Sequence, residues 1–240
     1  MKTRLLPLVY VIWALSAALS PAQAQEVGQY DVVVGGLRAG TLAYEADVSG
    51  NTYSLRGSAR ASGLVGIFVD SVVDVASRGY IDGHTLRPSG YAERTNNKGE
   101  VVRRDFRYRN GIPQITRTPP RDKPQKHAVA PQQQAGTLDP MSAAFAILRD
   151  KPTVEACQLD ISMFDGAKRS RLQYTSREDD GDDIVCSGQY LRIAGFSPKE
   201  MAERASWPVT ARYQQMPNGD ARLAELRFST SFGAARIRRR

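Results

Sequence analysis

Tyr44-Glu45-Ala46-Asp47-Val48, Ser49-Gly50-Asn51-Thr52 and Tyr53-Ser54-Leu55-Arg56-Gly57-Ser58-Ala59-Arg60 decide the class of this chain. Tyr44, Ala46 and Val48 alternate with Glu45 and Asp47, while Tyr53, Leu55, Gly57 and Ala59 alternate with Ser54, Arg56, Ser58 and Arg60. A period of two on both sides of a Ser-Gly-Asn turn is a β-hairpin with one buried face. Upstream, Tyr30 to Val34 enters a tight turn over Gly35-Gly36-Leu37-Arg38-Ala39-Gly40, so the domain opens with three antiparallel strands. Downstream, Leu64 to Val69 is too short and apolar to assign by period; it is compatible with one helical turn before a strand over Ser71 to Ser77. Asp82-Gly83 and Arg87-Pro88 mark turns.

The same period returns further along. Val102, Phe106 and Tyr108 face one way, Arg103, Asp105, Arg107 and Arg109 the other, and Arg104 breaks the pattern. Asn110-Gly111 turns the chain into Ile112 to Thr118. Residues 119–136 are rich in Pro and Gln and nearly free of apolar residues, which predicts a long exposed loop. One helix follows. Asp139 can cap it, Pro140 suits its first position, and Met141, Ala144, Phe145 and Leu148 form one apolar stripe. That amphipathic stripe must lie against a sheet or plug a curled one.

After Pro152 the chain returns to a meander. Cys157, Leu159, Ile161 and Met163 share a face, Phe164-Asp165-Gly166 turns, and Leu172 and Tyr174 come back. A strand over Ile184 to Ala194 and a hairpin around Pro217-Asn218-Gly219-Asp220 complete the count. The expectation is a mainly β fold, a single domain over residues 25–240. Its curled antiparallel sheet is an incomplete barrel or spiral with one amphipathic helix packed against it. A two-sheet sandwich is the alternative.

The first 24 residues read as a cleavable secretory signal. Lys2 and Arg4 precede an apolar run from Leu5 to Leu19, and Ala22-Gln23-Ala24 has the small-x-small form that signal peptidase accepts. The run is shorter than the ~20 apolar residues of a spanning helix. Export places Cys157 and Cys186 in an oxidising compartment, where a disulfide is expected rather than a metal or redox site. It would close a loop of about 30 residues and contribute about 3–4 kcal/mol. First and third strands of a flat meander lie about 9.5 Å apart, whereas a disulfide wants Cα atoms about 5.5 Å apart. Either the sheet curls sharply there or one Cys lies past a strand end.

Net charge is +8 and uneven. Arg103, Arg104, Arg107, Arg109, Arg117, Arg121, Lys123 and Lys126 fall in one stretch, and Arg236, Arg238, Arg239 and Arg240 crowd the C-terminus. Outside the cytoplasm such charge favours anionic lipid, lipopolysaccharide or peptidoglycan, or an envelope protein, over nucleic acid. Arg103, Arg107 and Arg109 project together and are the candidate docking face.

Enzyme signatures are missing. His84 sits in a turn and His127 in the loop, and neither has zinc-ligand spacing. There is no GxSxG elbow, P-loop or dinucleotide fingerprint. Asp139 and Asp165 have simpler roles as a helix cap and a turn. The acidic knot Glu178-Asp179-Asp180-Gly181-Asp182-Asp183 lacks EF-hand spacing and reads as a solvated turn. No catalytic residue, metal or cofactor is expected.

The Gly35–Gly40 turn, Leu86-Arg87-Pro88, Leu138-Asp139-Pro140 before the helix, Phe164-Asp165-Gly166 and Cys186-Ser187-Gly188-Gln189-Tyr190 come in an order that resembles a proteobacterial family of exported proteins, one catalogued only as a domain of unknown function. The resemblance implies a curled β fold similar to periplasmic lipoprotein-carrier barrels, in the envelope of Gram-negative bacteria, and supplies no catalytic residues. The resulting expectation is a non-enzymatic periplasmic protein of envelope maintenance. It would bind an apolar or amphipathic ligand against the inward rings of Tyr44, Tyr53, Phe106, Tyr108 and Phe228. The alternative is a module that docks on peptidoglycan or another envelope protein.

Overall fold

The computed structural model describes residues 23–62, 71–120, 125–230 and 233–240. The expectations for the leader up to residue 22, for Leu64 to Val69, and for Arg121 and Lys123 lie outside them.

Seven strands form the first half: β1 (Gln23–Val34), β2 (Leu37–Ser49), β3 (Thr52–Ala61), β4 (Ser71–Asp82), β5 (Thr85–Asn97), β6 (Glu100–Arg109) and β7 (Ile112–Thr118). Helix α1 (Pro140–Leu148) separates them from β8 (Lys151–Pro152), β9 (Asp160–Phe164), β10 (Arg169–Asp180), β11 (Asp183–Ala194), the short α2 (Pro198–Glu203), β12 (Ser206–Gln215), β13 (Asp220–Thr230) and β14 (Gly233–Arg239). All belong to one antiparallel sheet of order β7-β6-β5-β4-β3-β2-β1-β14-β13-β12-β11-β10-β9, with β8 on β13. β1 pairs with β14, Tyr30 opposite Arg239 and Val34 opposite Ala235, so the first and last strands join the two halves.

The opening hairpins fold as the alternation requires. Tyr44, Ala46, Tyr53 and Leu55 are buried, and Glu45, Asp47, Ser54 and Arg56 are exposed. The first turn is tighter than the glycine-rich stretch suggests. Only Gly35 and Gly36 turn, both at positive φ, and Leu37 already begins β2. Two consecutive left-handed residues are the backbone of a tight hairpin turn matched to strand twist. Arg87-Pro88 is not a turn. It lies inside β5 at a register shift, where Gly79 faces Pro88 and Arg78 faces Gly90. A bulge is where a strand tolerates a proline with no N–H to donate.

The sheet curls without closing, and α1 fills its concave side. The helix touches β3, β4 and β5 from one half and β9 and β13 from the other. Asp139 caps it, its Oδ1 accepting from the Ser142 N–H at 2.9 Å. Burial extends beyond the expected stripe to Ser142, Ala143 and Ala146, so the sheet wraps the helix on most sides. Phe145 is 1% exposed, with ring centroids of Tyr44 and Tyr53 at 6.2 and 6.4 Å. Gly57 permits this approach: a Cβ there would sit 2.8 Å from the Met141 sulfur.

The end of the Pro/Gln-rich loop bridges the gap between the sheet edges. Gly136 donates to the Gly111 carbonyl beyond β6 at 3.2 Å. Leu138 donates to Ser162 on β9 at 2.8 Å and accepts from Phe164 at 2.9 Å. Most of its described residues are exposed, but Val129 and Gln134 are tucked inward.

Cys157 and Cys186 form the disulfide with Cα atoms 5.2 Å apart. The geometry is the second of the two options above. Cys157 lies in a turn ahead of β9, after the 3-10 turn Thr153–Glu155, whereas Cys186 lies within β11. Arg236, Arg238 and Arg239 belong to β14 and Arg240 follows it directly: Arg239 donates to the Tyr30 hydroxyl at 3.0 Å, and Arg240 pairs with Asp31 at 2.7 Å.

Candidate functional site

A cavity of about 510 Å3 remains at the C-terminal end of α1. Its wall is assembled from parts far apart in sequence. The β4–β5 hairpin tip brings His84, Thr85 and Leu86, and the segment before the helix brings Leu138. The last turn of α1 and its exit bring Ala146, Arg149 and Lys151. Glu155 and Cys157 come from the disulfide turn, Leu159 and Ile161 from the start of β9, and Tyr174 from β10. The size falls in the range of small-ligand pockets, roughly 300–1,000 Å3, and the wall is about half polar, with Gln158 and Ser162 beside the charged groups.

Those charges are distinct in state. Lys151 is 5% exposed and donates to the carbonyls of Ala146 at 2.7 Å and Ile147 at 3.4 Å. It thereby caps the helix C-terminus, where orphan carbonyls collect partial negative charge. Burial, followed by the nearby Arg149 charge, pushes its ammonium down to about 7. Tyr213 lies under it, 5.1 Å from the ring centroid. Burial also pushes the neighbouring Tyr174 hydroxyl up to about 12. At the rim, His84 Nδ1 and Glu155 meet at 3.1 Å. Asp160 is held by Arg171 and pulled below the usual carboxylate range by those hydrogen bonds.

A second polar cluster lies under the other end of the helix and is self-contained. Asp139 accepts from Ser142 and from Ser77, each hydroxyl within 2.9 Å, and Tyr53 meets the Ser142 hydroxyl at 2.9 Å. Burial raises the Asp139 carboxyl despite these bonds. Asp165 holds its own turn, accepting from the N–H groups of Ala167 and Lys168. Both carboxylates thus have the structural roles their sequence context suggests. Among the described residues, no group of three or more His, Cys, Asp or Glu side chains is placed to hold a metal ion.

None of the five expected ligand-facing rings lines this cavity. Tyr44, Tyr53 and Phe106 do point inward, but they are 4, 3 and 1% exposed and filled by packing. Tyr44 and Tyr53 surround Phe145, while Phe106 meets Tyr91 and Phe164 at 5.1 and 6.2 Å. Tyr108 and Phe228 are partly buried against the same core. The helix occupies the space that an alternation pattern alone left open.

Arg103, Arg107 and Arg109 are exposed together on the outer face of β6 and make no ion pair among the described residues. Arg94 on β5 stands directly opposite Arg103, adding a fourth cation to the face. Arg104 breaks the pattern because it points inward. It pairs with Glu93 at 2.6 Å and donates to the Asp165 carbonyl at 2.5 Å, tying β5 and β6 to the β9–β10 turn. Sequence reading missed Arg149 and Lys151. In the run Arg149-Asp150-Lys151-Pro152 they resemble a solvated helix exit, and only the position of β13 beside β8 shows Lys151 to be enclosed.

A family model described as "Protein of unknown function (DUF3108)" matches residues 29–190. That span contains every residue of the cavity wall. The chain is similar to a beta-barrel-like protein of domain of unknown function DUF1849 from Brucella abortus. The two are 15% identical with a TM-score of 0.47 over 92% of this chain and 96% of that one. No curated protein matches. Among the described residues no helix is long and apolar enough to cross a membrane.

Proposed function

We propose, from the premise that the chain belongs to the family described as "Protein of unknown function (DUF3108)", that it is a non-enzymatic protein of the bacterial envelope that holds an apolar or amphipathic ligand at the end of its curled sheet. The cavity of about 510 Å3 beyond α1 carries this reading. Its wall is about half polar and half apolar; the aliphatic part suits a short chain and the polar part a head group. The leader pattern and the Cys157–Cys186 bond support export to the periplasm. The test is native mass spectrometry of protein purified from periplasm, before and after organic extraction. A near-stoichiometric lipid adduct, lost on extraction, is the expected result. A mass equal to the oxidised chain alone, unchanged by added amphiphile, would overturn it.

The outer face favours a second reading, docking on an anionic envelope polymer or lipid. Arg94, Arg103, Arg107 and Arg109 supply charge that no acid on the described surface neutralises by pairing. Retention on purified sacculi or anionic vesicles should then fall steeply with added salt. It should also fall severalfold in the triple variant Arg103→Ser, Arg107→Ser, Arg109→Ser. Retention that ignores both changes removes the reading.

A further inference from the structure

We infer that the cavity selects a single-chain amphiphile with a compact anionic head group, carboxylate or phosphate, and that Arg149 receives that group. The inference rests on the ligand-binding reading above and gives the ligand's charge.

The wall identifies the residue by elimination. Glu155 is engaged by His84 and Asp160 by Arg171. Lys151 directs two of its three donors to the Ala146 and Ile147 carbonyls and lies over the Tyr213 ring. Arg149 is different. Its side chain has no hydrogen bond or ion pair among the described residues, and only the Phe145 ring lies beneath it, 6.0 Å from Cζ. Its Nε–H is shielded from solvent and has no acceptor. A shielded donor without an acceptor is unfavourable and rare in folded proteins. The part of the guanidinium that lines the cavity has no acceptor among the described residues, and its planar fork matches the two oxygens of an entering carboxylate or phosphate. Beside it, Leu86, Leu138, Ala146, Leu159 and Ile161 offer aliphatic surface to the tail.

The test compares decanoate, decyl phosphate and decanol, each below its aggregation threshold, by titration calorimetry against the full oxidised chain. One or both anions should bind about tenfold or more tighter than decanol, the margin of a charge-assisted hydrogen bond. In Arg149→Met the affinities for anion and alcohol should converge to within about twofold, and in Arg149→Lys a preference for the anion should persist. Decanol serves as the internal control for a folded cavity in each variant. Gain for decanoate alone or decyl phosphate alone identifies the head group. Equal binding of all three by the unaltered chain overturns the charge selection and leaves the ligand-binding reading standing. Binding of none of the three overturns both.

Discussion

Phe145→Ala should lower the free energy of unfolding by about 3–5 kcal/mol, the usual loss when a buried aromatic ring becomes a methyl group. The expectation follows from where the ring sits. Phe145 is 1% exposed in the middle of α1, between Tyr44 on β2 and Tyr53 on β3. The neighbours cannot collapse into the space, because they are anchored at their far ends. Tyr53 is hydrogen-bonded to Ser142, and Tyr44 to Glu26 and the Leu148 carbonyl. Urea denaturation followed by circular dichroism reads the result as a lower midpoint with an unchanged slope. A loss under about 1 kcal/mol would mean that the helix is not the plug that organises both halves of the sheet.

Arg104→Met should cost about 2–4 kcal/mol at neutral pH, near the range for stranding one partner of a buried pair. The Arg104 and Glu93 side chains are 25 and 11% exposed. Burial alone would raise the Glu93 carboxyl, but hydrogen bonds from Arg104, Tyr91 and Thr95 hold it below its ordinary value of 4.5. A carboxylate depressed in the folded state adds stability above its unfolded pKa and loses it as pH falls through the folded one. Without Arg104, burial is opposed only by the two hydroxyls. The stability deficit should therefore be largest near pH 7 and shrink as pH falls through the depressed folded-state pKa of Glu93, below which Glu93 is neutral in both proteins. The double variant Glu93→Gln, Arg104→Met should recover part of the loss. A deficit that does not change with pH would show that the lost contact to the Asp165 carbonyl, not the charge, carries the effect.

The strands were legible where one face is wet. Residues 44–47 and 53–56 alternate strictly, so period alone places their side chains. Legibility fails wherever a tertiary contact reverses a local signal. Pro88 reads as a turn because the bulge that accommodates it depends on β4. Glu225 is only 6% exposed because Arg227 and Arg238 pair over it, a covering that alternation along one strand does not encode. Asp139, Pro140 and Cys157–Cys186 were readable because capping and pairing are local or compositional rules. The cavity was not. Its wall needs the β4–β5 tip, the helix exit and the disulfide turn to meet, and no periodicity encodes that meeting.

The pairing of β1 with β14 also bears on how the chain comes together. Apart from it and the two-residue β8–β13 contact, strand pairings in the sheet join sequence neighbours. Hairpins of that kind form quickly at small entropic cost, so the expensive loop closure is concentrated in one seam. Until it closes, β14 is paired on one side only, with β13, and its other edge is open, the kind of edge that templates association with other chains. Gly233-Ala234-Ala235-Arg236-Ile237-Arg238-Arg239-Arg240 carries four arginines through that interval. The basic terminus thus reads as a gatekeeper, keeping the waiting segment soluble through mutual repulsion until Asp31, Glu225 and Tyr30 neutralise or cover it.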